Sequence, residues 1–355
     1  MSFQLDHYRL LGRSGLRVSP LSLGTMTFGV DPAGWGSSEE DGRRMIDLYM
    51  DRGGNFIDTA NFYAQGESEK MLGRLVQGRR ERLVISTKYS LTMRKGDANA
   101  TGNSRKNMVR AVEDSLKRLG TDYIDLFYLH VWDFRTPIEE ILRGFDDLTR
   151  QGKIIYAGIS DTPAWQVARM QMAADLRGWT PFVAMQMLYN LVDRTAERDL
   201  IPMAQEVGIG VIPWSPLAGG VLSGKYSRAD LAAPKTSLGS MTDRKGINAA
   251  TGRLSERGLD IADAVVEIAK ELNVKPASVA LAWTLLNPAI ASTLIGARTF
   301  AQFESNLEAL DVKFSNDQIA RLDAASRPEL GFPHDMLRGP SYEFMFGNIE
   351  VQRRG

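Results

Sequence analysis

The chain has 355 residues, 43% hydrophobic and 24% charged, a composition that excludes disordered, collagenous and mucin-like classes. It contains no cysteine, which excludes a disulfide framework, a thiol nucleophile and every thiolate metal site. Lys+Arg and Asp+Glu stand at 43 each, so no net field draws the chain to nucleic acid or an anionic membrane, and a cytoplasmic enzyme or binding protein is expected.

At the N-terminus, Asp6, His7 and Arg9 interrupt any apolar signal-peptide core. Gly12-Arg-Ser-Gly15 lies between two short alternating runs, which predicts a β-hairpin over about 8–19. Apolar or β-branched runs at 16–23, 55–57, 83–87, 124–129, 154–159, 182–185, 210–213 and 292–295 each read as a buried strand. Helical patterns separate them. Ser38 is a candidate N-cap with Asp41 three residues on, followed by Met45, Leu48 and Tyr49 on one face and a stop at Gly53-Gly54. A second helix runs from about Ser104 to Gly120, and a third carries Ile138, Ile141, Leu142, Phe145 and Leu148 before Gly152. Asn287-Pro288 divides the most apolar stretch, 279–296, into halves too short to span a bilayer.

Alternating strands and helices without an intervening linker predict one (β/α)8 TIM barrel over 1–355 rather than two doubly wound domains. The last crossover is much longer than the others and holds a polar insertion at about 226–258, expected to be a mobile surface loop, either on the catalytic face or simply a tolerated insertion, which composition does not separate. A C-terminal tail follows from about 327 to 355.

Polar residues just after barrel strands face the active-site mouth. Asp58 follows the second run, Tyr63 lies five residues later, Lys88 ends the third and His130 ends the fourth. A tyrosine is a poor acid near neutral pH, but an adjacent ammonium stabilises its phenolate and lowers its pKa. Lys88 can supply that charge, Asp58 can hold Lys88, and His130 can polarise a carbonyl oxygen beside Tyr63. The set suits carbonyl reduction.

Through Phe56-Ile-Asp-Thr-Ala-Asn-Phe-Tyr63, Ile85-Ser-Thr-Lys88 and Tyr123-Ile-Asp-Leu-Phe-Tyr-Leu-His130 the chain resembles the aldo-keto reductase superfamily. The likeness runs from the hairpin to Asn306. It implies a barrel binding NADP(H), hydride delivery from the nicotinamide and a proton from Tyr63, with a carbonyl or alcohol as substrate. It also implies cofactor contacts from Thr25, Met26, Asp58, Ser160 and Gln186, with Trp214 stacking on the nicotinamide. The run Ser215-Pro216-Leu217-Ala-Gly219, ending in Gly224-Lys225, resembles the pyrophosphate-covering loop of the branch holding aryl-alcohol dehydrogenase-like reductases and potassium-channel β subunits. Gly296, Arg298, Gln302 and Asn306 resemble the 2′-phosphate and adenine site, although Ser305 stands where the family commonly has Glu.

Other readings fail on chemistry. Tyr226 replaces the Ser or Thr that a nucleotide-triphosphate P-loop needs for magnesium, and no G-x-G-x-x-G joins a strand to a helix. Only His7, His130 and His334 could serve as imidazole metal ligands. The alternative to a reductase is an NADP(H)-binding regulatory subunit with slow turnover. Trp35, Tyr89, Trp132 and Phe332 are candidate pocket aromatics, and oligomeric state is not encoded in any motif.

Overall fold

A computed structural model describes residues 3–30, 35–232, 243–338, 341–347 and 349. The strands are β1 (Arg9–Leu10), β2 (Arg17–Val18), β3 (Leu21–Gly24), β4 (Gly29–Val30), β5 (Gly36–Ser37), β6 (Phe56–Asp58), β7 (Val84–Tyr89), β8 (Ile124–Leu129), β9 (Ile154–Ser160), β10 (Phe182–Leu188), β11 (Gly210–Trp214) and β12 (Thr293–Ile295). Eight of them form one parallel sheet in the order β11-β10-β9-β8-β7-β6-β3-β12. Its edges meet through a parallel bridge, Val211 to Ile290, with the Val211 N–H on Ala289 O at 3.2 Å and the Ala291 N–H on Val211 O at 2.9 Å. The sheet is thus a barrel, as the alternating pattern predicts.

Helices α1 (Glu39–Asp51), α2 (Glu67–Leu75), α3 (Arg105–Leu119), α4 (Ile138–Arg150), α5 (Ala164–Arg177) and α6 (Leu200–Val207) connect successive barrel strands. The last crossover carries α7 (Arg244–Ala250), α8 (Glu256–Leu272) and α9 (Pro276–Leu285), and α10 (Phe300–Leu307) follows β12. The expected caps form. Ser38 Oγ accepts the Asp41 N–H, Ser104 Oγ accepts the Asn107 N–H, and Gly120 ends α3 in the left-handed region at φ 63°. None of the helices among the described residues is long and apolar enough to cross a membrane.

One apolar cluster fills the barrel interior, with Phe56, Val84, Leu126, Tyr128, Ala184, Ile212 and Leu294, and the hairpin residues Leu11 and Val18 join it from below. A larger cluster lies between sheet and helices. The run read as one strand over 16–23 is two: β2 belongs to the hairpin and β3 to the barrel. The break falls at Ser19-Pro20, where Pro20 has no N–H and the Ser19 N–H bonds the Asn55 side chain instead of a neighbouring strand. The insertion is partly helical rather than one loop, with a 3₁₀ segment at Arg228–Ala232 and α7, while 233–242 lie outside the described residues.

Candidate active site

Parallel register brings the ends of neighbouring strands level, so residues far apart in sequence share one rim. Asp58 pairs with Ser86, Lys88 with Tyr128, and Ser160 with Gln186. At that rim the three N–H groups of the Lys88 ammonium reach Asp58 Oδ2 at 2.5 Å, Thr59 O at 2.7 Å and Tyr63 Oη at 3.3 Å. The other Asp58 oxygen accepts the Ser86 hydroxyl at 2.6 Å and Gln186 Nε2 at 3.0 Å. The His130 ring stands edge-on to Tyr63, with centroids 6.1 Å apart. The four residues predicted as a catalytic set therefore form one cluster.

Burial alone would discharge Lys88, yet Asp58 and Tyr63 outweigh it and raise the ammonium pKa. Burial and the Lys88 charge push the His130 imidazole down to about 3, so the ring is neutral and donates through only one nitrogen. The Tyr63 phenol departs from the sequence expectation. Burial raises its pKa, Lys88 lowers it and Asp58 raises it again, and the net direction is upward. Burial is the main cause, and Asp58 adds to it by offsetting part of the Lys88 field that would favour the phenolate.

Around this cluster, Thr25 is fully buried and its hydroxyl donates to Asp58 O at 3.0 Å, with Ser68 Oγ 2.9 Å away. Its side chain thus supports Asp58, and Met26 beside it is half-buried. Gln186 likewise directs one amide N–H to Asp58 rather than leaving both free for a ligand. Ser160 is enclosed and its Oγ has no partner among the described residues, and neither has His130 Nδ1. Trp214 is half-buried and donates its indole N–H to Asp161 Oδ1 at 3.0 Å. Tyr89 is not a pocket aromatic: it is buried, stacked on Phe127, and donates its hydroxyl to Asn103 O. Trp132 is buried in the main core, Trp35 half-buried and Phe332 exposed.

After β11 the backbone enters the left-handed region at Ser215, Ala218, Gly219, Gly220 and Gly224. Pro216 is buried and Leu217 half-buried, which seats the loop on the core. Ser215 Oγ accepts the Gly219 N–H at 3.2 Å, and the Gly219 carbonyl accepts Asn248 Nδ2 at 3.1 Å. A Cβ on Gly219 would lie 2.2 Å from Asn248 Oδ1, so the glycine is required both by its φ of 66° and by this contact. Helix α7 of the insertion thereby latches onto the loop.

Lys225, Arg244, Arg253 and Arg298 approach one another along this side, and none has a carboxylate ion-pair partner among the described residues. Burial first, then Arg298 and Arg244, lower the Lys225 pKa; burial, then Arg253 and Arg298, lower that of Arg244. Burial also lowers that of Arg253, with Asp193 pulling it back in part, and its guanidinium lies over the Trp214 ring. Like charges in partly desolvated surroundings oppose one another, and an arriving anion would relieve that opposition.

Past β12, Gly296 and Arg298 are exposed. The Arg298 N–H bonds Gln302 Oε1 at 3.0 Å, and Asn306 Nδ2 donates to Gly296 O at 3.3 Å. Gln302 and Asn306 thus shape the turn that presents Arg298 at the start of α10. The orphaned Ser160 hydroxyl, the left-handed loop and the four cations fit a ligand with an amide-bearing head and several phosphates.

Asp161, Asn248, Arg244 and Arg253 were not singled out from sequence. Asp161 obeys the same strand-end rule as Asp58. No comparable signal marks the arginines, because Arg228, Lys245 and Arg257 from the same stretch are engaged with Asp260 and Asp263, with Asp230, and with backbone carbonyls.

Residues 20–327 match the model of the Aldo/keto reductase family. The chain is 36% identical over 346 residues to norsolorinic acid reductase of Aspergillus flavus, covering 94% of this chain and 84% of the relative. It is 36% identical over 343 residues to aryl-alcohol dehydrogenase [NADP(+)] of Phanerodontia chrysosporium, covering 92% and 88%. With the uncharacterized oxidoreductase YrpG of Bacillus subtilis it shares 37% identity over 326 residues, covering 89% and 94%. A family match over most of the chain, on a barrel with this cluster at its rim, establishes that the protein belongs to the aldo/keto reductase family.

Proposed function

We propose that this protein reduces an aldehyde or ketone to an alcohol, reversibly, using NADPH, with Tyr63 as the proton donor. The observation that carries this reading is the contact of Lys88 Nζ with Tyr63 Oη at 3.3 Å, beside a neutral His130. When bound, the nicotinamide would supply the hydride. Tyr63 Oη would give its proton to the carbonyl oxygen, and the resulting phenolate would face the Lys88 ammonium. His130 would donate a hydrogen bond to the same oxygen and orient it. In the opposite direction the phenolate accepts the alcohol proton.

Ser160 and the second amide N–H of Gln186 are the proposed partners of the nicotinamide carboxamide, and Trp214 its stacking surface. Lys225, Arg244 and Arg253 would take the pyrophosphate, and Arg298 the 2′-phosphate that distinguishes NADPH. The names of the relatives, an aryl-alcohol dehydrogenase and a norsolorinic acid reductase, favour a bulky aromatic substrate and a working enzyme over a regulatory subunit. The exposed Phe134, resting edge-on against the buried Trp132 at 6.3 Å, offers apolar surface for it. Purified protein should oxidise NADPH in the presence of aromatic aldehydes, followed by nicotinamide absorbance. Absence of turnover across a broad carbonyl panel, with NADPH bound, would sink the reductase reading.

A further inference from the structure

We infer that Glu69 is a positioning residue that fastens the Tyr63 turn to the Lys88 strand, acting through Arg118 and Thr87; this rests on the assignment of Tyr63 as proton donor. The turn after Tyr63 is unusual. Ala64, Gln65 and Gly66 are consecutively left-handed, at φ 45°, 55° and 93°, a conformation that residues with a Cβ rarely adopt and that must be held from outside. Helix α2 begins at the next residue, and its first turn does the holding. Ser68 Oγ donates to Thr25 O at 2.7 Å and lies 3.0 Å from Thr59 Oγ1, which fixes the helix to the ends of β3 and β6. Glu69 is fully buried. One carboxylate oxygen accepts the Thr87 hydroxyl at 2.6 Å, and the other accepts Arg118 Nε at 2.6 Å.

Both contacts point to the catalytic distance. Thr87 immediately precedes Lys88 on β7, so its bond to Glu69 ties the lysine-bearing strand to α2. Arg118 projects from the last turn of α3 under the Tyr63 turn, where a Cβ on Gly66 would lie 2.8 Å from Arg118 Cδ. The guanidinium stem therefore forms the floor on which the left-handed turn rests, and Glu69 sets where that floor stands. A buried carboxylate with one charged and one neutral donor resists displacement, because shifting either partner leaves it unsatisfied. The separation of Lys88 Nζ and Tyr63 Oη is thus set by an ion pair on the outer side of the sheet.

The sign of the Tyr63 ionisation separates positioning from a plain charge effect. Removing the Glu69 negative charge by Glu69→Gln, with geometry unchanged, would lower the phenol pKa, since an anion nearby disfavours phenolate. Letting the turn drift from Lys88 would raise it. The expected result for Glu69→Gln is a kcat about 10- to 100-fold lower, an unchanged NADPH dissociation constant, and a Tyr63 midpoint higher than in the parent protein. The midpoint is read by ultraviolet titration as the difference from the matching Tyr63→Phe protein. Thr87→Val keeps the ion pair and nearly the same volume, and should show a smaller change in the same directions if Glu69→Gln fails to fold. An unchanged kcat, or a midpoint that is unchanged or lowered, overturns the positioning role. If Tyr63→Phe itself retains turnover, the fault lies in the assignment of the proton donor instead.

Discussion

Trp214, at the end of β11, donates its indole N–H to Oδ1 of Asp161, the residue after β9, at 3.0 Å. The bond spans the intervening strand, and the Asp161 N–H in turn reaches Gln186 O on β10 at 3.3 Å. The aromatic face at the mouth is therefore oriented by a carboxylate. The walls of the mouth push that carboxyl up to about 6, while the Trp214 indole and Lys88 draw it back. A carboxylate accepts this hydrogen bond more strongly than a carboxylic acid does.

Accordingly, NADH affinity should fall as pH drops through about 6, where Asp161 takes up its proton and its hold on Trp214 weakens. Asp161→Asn, which cannot ionise, should bind NADH with a flat profile over that range, NADH lacking the 2′-phosphate monoester whose own second pKa is about 6. NADH affinity measured by quenching of protein fluorescence decides the matter, and an inflection near pH 6 that persists in Asp161→Asn would assign it elsewhere.

Tyr63→Phe should lower kcat/KM by about 10²- to 10⁴-fold, the usual contribution of a positioned acid, while leaving NADPH binding intact. In the parent protein reduction should fall as pH rises through the Tyr63 ionisation, because the donor is lost, and oxidation should rise over the same interval. The direction of the Tyr63 shift places the free-protein midpoint above the ordinary tyrosine value. Lys88→Met removes the opposing cation and should move it further up. Asp58→Asn should move it down by exposing the phenolate to an uncompensated Lys88. Equal shifts of one sign in both variants would contradict this electrostatic picture.

Cofactor affinity should decline with salt, and each cation should have its own signature. Arg298→Ala should narrow the NADPH over NADH preference by about tenfold, within the range for hydrogen bonds to charged groups. Arg244→Ala should weaken both nucleotides together, since the pyrophosphate is common to them. Parallel titrations of both nucleotides discriminate; loss of NADPH binding alone in Arg244→Ala would move that arginine to the 2′-phosphate.

Asn248 joins the insertion to the glycine loop through the Gly219 carbonyl. Asn248→Ala should speed NADPH release, measured by stopped-flow fluorescence, with little effect on kcat if chemistry limits turnover. Hydrogen exchange over α7 should slow when NADPH saturates the parent protein and slow less in the variant. Exchange that does not respond to NADPH would leave the insertion without a closing role.

Strand and helix periodicity carried the barrel architecture, because core-facing residues repeat with the element that bears them. Ser38, Ser104 and Gly120 marked helix ends for the same local reason, as capping groups act within one turn. The strand-end positions of Asp58, Lys88 and His130, with Tyr63 in the loop beyond, were likewise legible, since the C-terminal rim of a barrel is defined by sequence order. Tertiary structure alone decided what surrounds them. That Gln186 and Thr25 brace Asp58, that Tyr89 is core, and that Arg244 has no carboxylate partner among the described residues while Arg228 is neutralised all depend on partners distant along the chain. The Tyr63 shift turned upward for that reason too: the pull of Lys88 was readable from sequence, but the burial that outweighs it, and the Asp58 carboxylate at 2.5 Å from Lys88 that offsets part of it, exist only once the barrel is closed.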